Sequence, residues 1–298
     1  MNAHIGELAA LATAVCWTVT ALAFEPATRR IGPVAVNLLK LATGFVFLAT
    51  ANLILRGMVL PFDASGQAWL WLSLSGMVGF LIGDYFLFKS YTMIHARVSM
   101  LVMALAPPMA ALLGWMFLGE TLSGNDFVGM GLTLAGIAMV VLKRGGDGGG
   151  LAFKHPAAGV LLALGGAAGQ AGGLVLSKYG MGSYSPLAAT QIRVLAGAGG
   201  FALLFTALGG WRRLPGLMDN RHLAGQVALG SAFGPFLGVS LSLVAIQYTN
   251  TGVASTIMAM VPVMIIPPSV LLFKQRVKAV EVLGAVVSVA GVALLFLK

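Results

Sequence analysis

The sequence predicts an all-α integral membrane protein, with ten transmembrane helices forming two inverted five-helix repeats around a central cavity. Three observations carry this. The first is composition: of 298 residues, 58% are hydrophobic and only 9% charged, and the mean hydropathy is +0.93. A soluble domain carries roughly 25% charged residues, so too few charges remain here to coat a water-facing surface. The second is that apolar runs recur at the length, about 20 residues, that a helix needs to cross the hydrocarbon. The third is that the two halves of the chain match each other in register.

The apolar runs fall near 5–24, 33–55, 67–90, 97–118, 125–143, 156–177, 185–208, 222–246, 252–273 and 279–297. Polar or Pro/Gly-marked breaks separate them, such as "EPATRRIGP", "LRGMVLPFDASG" and "GGWRRLPGLMDNRH". The first run lacks the basic leader and cleavage site of a signal peptide and is read as the first span. The glycine-rich stretch "KRGGDGGGLAFKH" has neither the Gly-Lys-Ser/Thr ending of a phosphate loop nor a strand before it. It is read as a flexible linker, 145–155, between a first repeat, 1–144, and a second, 156–298.

Laying 95–143 over 250–298 needs no gap. Met103 meets Met258, Pro107 meets Pro262, Gly129 meets Gly284 and Gly136 meets Gly291. With slightly different offsets, Pro33 falls on Pro186, Lys40 on Arg193 and Gly44 on Gly197. A five-span unit duplicated in tandem must insert its second copy upside down, the plan of many secondary transporters. The matched prolines then interrupt the fourth and ninth helices near the bilayer centre. Each proline frees a backbone carbonyl, and in lipid such a break must face protein or a wet cavity. An ordinary packing kink is the competing reading.

The net charge of +9 does not mark a nucleic-acid binder, because the cations sit in short segments between apolar runs. Of the 18 Lys and Arg, Arg56, Lys178 and Lys298 lie on the side of both termini and Lys40 and Arg193 lie within spans. The other thirteen lie on the opposite side, so the positive-inside rule places them in the cytoplasm and both termini outside.

Charges within a span need an explanation. Lys40 lies about 10 Å below one face at the helical rise, and Asp84 lies near the same face at similar depth. They can pair, or Lys40 can snorkel to the interface; Asp84, too short to snorkel, must be paired or protonated. Arg193 is the counterpart of Lys40, but Val239 occupies the position matching Asp84. An unpaired guanidinium lining a cavity would suit a substrate carboxylate or phosphate; a bond to Glu7 or Glu120, or snorkelling, is the structural alternative. Thr13, Cys16, Trp17 and Thr20 share one face of the first span, and Gly166, Gly169, Gln170 and Gly173 share the matching face of the sixth. Trp17 and Gln170 are thereby equivalent and face inward. Gly165, Gly169 and Gly173 also form a small-residue packing stripe. Ser99, Met103 and Pro107 share a face of the fourth span, as Ser255, Ala259 and Pro262 do on the ninth, and the methionines offer an adaptable surface. Cys16 is the single cysteine, so no internal disulfide forms. His4, His95, His155 and His222 show no metal-ligand spacing, and no nucleophile has a base beside it. No catalytic residue, metal or cofactor is therefore expected.

At this level of detail the chain resembles the EamA-type members of the drug/metabolite transporter superfamily. The best local likeness is "ARVSMLVMALAPPMAALLGWMFLGETLSGNDFVGMGLTLAGIAMVVL", 96–142, with its central Pro107, the Gly119–Glu120 pair and the glycines Gly129 and Gly136 of the fifth helix. "SPLAATQIRVLAG" resembles the start of a repeat's second helix, with its basic residue at Arg193. Lys40 stands where arginine is usual, and Gln275 stands where a counterpart of Glu120 is expected, so Glu120 is read as capping the fifth helix. The resemblance implies an exporter of amino acids, other small metabolites or toxic compounds, and termini in the cytoplasm, against the charge count. The expectation is a secondary transporter of the inner membrane with a substrate site at Trp17, Lys40, Asp84, Met103, Pro107, Gln170, Arg193 and Pro262. Asp84 would couple protons and Arg193 would contact an anion. The expected partners are a small-molecule substrate and the lipid bilayer, and the working unit is a monomer or weak dimer. The alternatives are a lipid-linked-sugar flippase of the same superfamily and an intramembrane lipid-modifying enzyme.

Overall fold

A computed structural model describes residues 4–118, 121–144, 151–213, 220–248, 254, 257–272, 274 and 277–296. Among the described residues eight helices are long and apolar enough to cross a membrane: α1 (Ile5–Ile31), α2 (Pro33–Arg56), α3 (Gly66–Tyr91), α4 (Ala96–Phe117), α5 (Gly124–Val141), α6 (Ala157–Met181), α7 (Pro186–Ala207) and α8 (Arg221–Tyr248). Two shorter apolar helices follow, α9 (Val261–Leu271) and α10 (Ala279–Leu294). Eight of the ten predicted spans thus appear as helices of full crossing length, and where the ninth and tenth are predicted the described residues hold shorter helices.

Three local departures have plain physical causes. Helix α1 runs on to Ile31, through the stretch read as a break. Pro26 forfeits only one backbone donor, Arg29 reaches back to Glu25 at 3.3 Å across that turn, and Gly32, at φ +85°, ends the helix. The chain is not wholly helical either. Leu142–Arg144 (β1) pairs antiparallel with Leu151–Phe153 (β2), so the last part of the predicted linker is strand; 145–150 lie outside the described residues. Last, α4 tightens to a 3₁₀ turn at Met103–Leu105, where the Ala106 amide bonds the Met103 carbonyl. Pro107 and Pro108 cannot donate to the carbonyls four residues back, so the preceding turn closes on itself. Helix α9 is likewise broken, into Val261–Met264 and Ile266–Leu271.

Both α3 and α8 contain a π-helical segment, Met77–Asp84 and Ala232–Gly238. These begin at positions that the ungapped repeat register makes equivalent. The packing is paired in the same way. Thr133 and Ser288, equivalent residues on α5 and α10, each donate to the other's backbone carbonyl, at 3.4 and 3.3 Å. A Cβ on Gly44 of α2 would meet Pro235 of α8, and one on its equivalent, Gly197 of α7, would meet Phe80 of α3. Helix α1 packs on α8 as α6 packs on α3. Contacts exchanged between equivalent residues are what a two-fold relation between two copies produces.

The polar loops gather at two ends. Arg56 and Tyr184 both bond Asp63, at 2.5 and 2.8 Å, which joins the turns after α2 and α6. At the other end, Glu25 bonds His95 at 3.0 Å, and Glu281 meets Arg97 at 2.9 Å and Lys154 at 3.6 Å. The hydrogen bond from Tyr184, with Arg56 beside it, holds the Asp63 carboxyl below its ordinary range. Partial burial and the neighbouring Lys154 hold the His155 imidazole below its own. The expected cap on the fifth helix, Glu120, lies outside the described residues; the Asp126 carboxylate instead accepts from the Ser123 amide at 2.5 Å.

Candidate functional site

A cavity with about 130 Å³ of free space lies where the two repeats meet. From the first repeat it is lined by Trp17 and Thr20 on α1, Lys40 on α2, Phe80 and Asp84 on α3, and Met100 and Met103 on α4. The second contributes Gln170 on α6 and Gly234, Pro235 and Val239 on α8. A second lobe of about 100 Å³ shares Trp17, Met100 and Met103 with the first. Pro107, Met258, Ala259 and Pro262 line it. Both broken helices therefore turn their prolines toward free space inside the protein.

The walls are mostly apolar, so the few polar groups define the chemistry. Lys40 Nζ donates to Asp84 Oδ2 at 2.5 Å. Gln170 Nε2 donates to Asp84 Oδ1 at 2.8 Å and to the Gly79 carbonyl at 3.1 Å. Lys40 is 4% exposed and Asp84 6%, so Lys40 does not snorkel to an interface. Phe88 and Phe80 flank the ammonium, their ring centres 4.5 and 5.8 Å from Nζ, and so replace part of its lost hydration.

The π-segment of α3 sets this geometry. It carries Phe80 and Asp84, and its glycines let α6 come close: a Cβ on Gly169 would lie 2.5 Å from the Gly83 Cα. That approach puts Gln170 within reach of the Asp84 carboxylate. The equivalent contact in the other half is Gly238 against Trp17, so Trp17 and Gln170 hold matched positions on two sides of one cavity.

Seven of the eight residues expected at the site line one lobe or both. Arg193 does not line either. It is 4% exposed, and its guanidinium carbon lies 4.9 Å from the ring centre of Phe80, which does line the cavity. Its Nε has no hydrogen-bond partner among the described residues. The alternative partner Glu7 bonds His4 instead. The repeat register singled out Arg193 as the counterpart of Lys40 but could not reveal that an aromatic ring from another helix packs on it. Ser99 also turns away, to Ser90 at 2.7 Å; Ser255 is outside the described residues. Thr13 and Thr20 spend their hydroxyls on their own helix. The aromatic wall of Phe80, Phe88 and Tyr91 was not anticipated, and in a chain this apolar nothing in the sequence marks those rings as lining residues. Among the described residues no group of His, Cys, Asp and Glu could hold a metal ion.

Apolar helices in two packed copies, enclosing a cavity with a buried ion pair in its wall, are the build of a membrane transporter. The EamA-like transporter family model matches this chain twice, over residues 4–142 and 157–297. The chain belongs to that family. No curated protein matches it. A crystal structure of another protein, 21% identical in sequence, superposes with a TM-score of 0.68, covering 100% of this chain and 97% of that one; at that identity the likeness speaks for the fold alone.

Proposed function

We propose that the chain is a secondary transporter of the inner membrane, exporting small metabolites such as amino acids by alternating access. The observation that carries this reading is the Lys40–Asp84 pair, bonded at 2.5 Å in the wall of a cavity to which both repeats contribute. A buried ion pair is weak evidence for stability, since well-packed apolar residues would often serve as well; at the rim of free space it is better explained by a ligand or a proton that uses it. With five spans per copy the two-fold relation lies in the membrane plane, and the site sits at the midplane interface as in other inverted-repeat carriers. The breaks at Pro107 and Pro262 are where α4 and α9 bend to close one mouth and open the other. Trp17, Lys40, Asp84, Met103, Pro107, Gln170 and Pro262 contact the substrate, and Asp84 exchanges the coupled proton. A monomer, or a weak dimer, suffices, because each chain builds a whole cavity.

Counterflow in proteoliposomes with a panel of the protein amino acids, with and without a pH gradient, tests the reading. Trans-stimulated uptake of at least one member is expected, faster with the gradient. No stimulated uptake by any member would remove the amino-acid assignment. Orientation is tested separately. A reporter fused after Lys298 should be active only in its periplasmic form, as the cation asymmetry requires, and cytoplasmic activity would reverse the assignment of sides.

A further inference from the structure

At seven residues or more from a helix end, three charged side chains lie within the described spans, Lys40, Asp84 and Arg193; the buried Glu25, six from its helix end, is spent on Arg29 and His95. Lys40 and Asp84 cancel. The charge left over is that of Arg193, which is permanent because a guanidinium keeps its proton in proteins. Arg193 is 4% exposed, and its Nε makes no hydrogen bond among the described residues. The only anionic group among these three is Asp84, already bonded to Lys40 and Gln170. The three groups thus sum to one excess positive charge, with the single Asp84 carboxylate facing both cations and the Phe80 ring of the cavity wall packed on the guanidinium.

An uncompensated buried charge costs several kcal/mol, and an opposite charge within a few ångströms relieves it. No remaining side chain in the described wall can supply one. Donors for an anion are nevertheless in place. The Lys40 ammonium carries three protons and gives one to Asp84, and its flanking rings leave it at the cavity edge. We infer that the cavity is a carboxylate site: its ligands are small organic acids, free or as the acid end of an amino acid, bound at the Lys40 ammonium with Arg193 supplying field through Phe80. The amine of an amino-acid substrate is then dispensable and its carboxylate is not. The inference rests on the transport reading for its biological sense but concerns binding alone.

The test uses three probes of one shape: phenylalanine, 3-phenylpropanoate and 2-phenylethylamine, with the matching leucine-derived set as a second side chain. Dissociation constants are measured on the purified full chain in detergent. The acid should bind at least as tightly as the amino acid, and the amine at least about tenfold more weakly, a difference of roughly 1.4 kcal/mol. Arg193→Gln, which removes an unpaired buried charge and should fold, is expected to lose about tenfold in acid affinity and to narrow the gap to the amine. Arg193→Lys should keep most of the preference. Amines binding as tightly as acids, no binding by any carboxylate-bearing probe, or an Arg193→Gln protein with unchanged preference would each overturn the inference. Carboxylate binding without counterflow would sink the transport reading and leave the carboxylate site standing. Counterflow of amines alone would do the reverse.

Discussion

Replacing Asp84 by Asn should both destabilise the protein and stop transport, and a compensating double substitution should separate the two effects. Asp84 accepts from Lys40 at 2.5 Å and from Gln170 at 2.8 Å, and both ends of the ion pair are buried. The single substitution leaves the Lys40 ammonium without its carboxylate, so two cations lie 5.8 and 4.9 Å from the one Phe80 ring centre with Asp84's charge gone. Removing one partner of a buried pair costs about 3–5 kcal/mol, read as a clear loss of thermal stability in detergent. In the double variant Lys40→Met, Asp84→Leu neither charge remains to be desolvated, and such apolar replacements are often neutral or stabilising. It should therefore recover most of the lost stability. Counterflow should stay abolished, because the groups proposed to meet substrate and proton are gone. A double variant that transports like the wild type would reduce the pair to a structural device.

The depth argument found this pair because it needs only rise per residue and a common face: Lys40 and Asp84 lie at similar distances from one end of adjacent spans. The repeat register placed Trp17 opposite Gln170 for the same reason, since matched residues of two copies converge on a shared axis. What the sequence could not show is what stands between groups. Arg193 is the repeat counterpart of Lys40, yet the ring of Phe80 packs on it, and which ring meets which cation depends on the rotation of α3 about its own axis. That rotation depends on the π-segment Met77–Asp84, which admits an extra residue per turn. One trace of it was present. Gly79 and Gly83 recur as Gly234 and Gly238 at the repeat offset, and glycines paired in this way mark close backbone approach more than they mark a site. The extension of α1 through Pro26 and the short β1–β2 pairing depend on single local contacts, Arg29 to Glu25 and a few ladder bonds, that composition does not register.

Close approach at those glycines leads to the second large effect. Gly169→Ala should lower stability and weaken substrate binding together, whereas Gly136→Ala should lower stability alone. A Cβ on Gly169 would lie 2.5 Å from the Gly83 Cα and 2.8 Å from its amide nitrogen. Those are backbone atoms, so no side chain can swing aside and α6 must move off the π-segment of α3. Overpacking of this kind costs about 1–3 kcal/mol. The shift acts on the residue next in line, because Gln170 holds the free side of the Asp84 carboxylate at 2.8 Å. With α6 displaced, that bond lengthens and Asp84 is left to Lys40 alone. Gly136 is as crowded, its Cβ falling 2.6 Å from the Gly284 carbonyl oxygen and 2.5 Å from the Ser288 hydroxyl. It joins α5 to α10, however, and neither helix lines the two lobes of the cavity. Thermal unfolding and counterflow KM measured on both variants decide the matter. A rise in KM confined to Gly169→Ala is expected, and equal KM values in the two would mean that the π-segment does not position the Asp84 carboxylate.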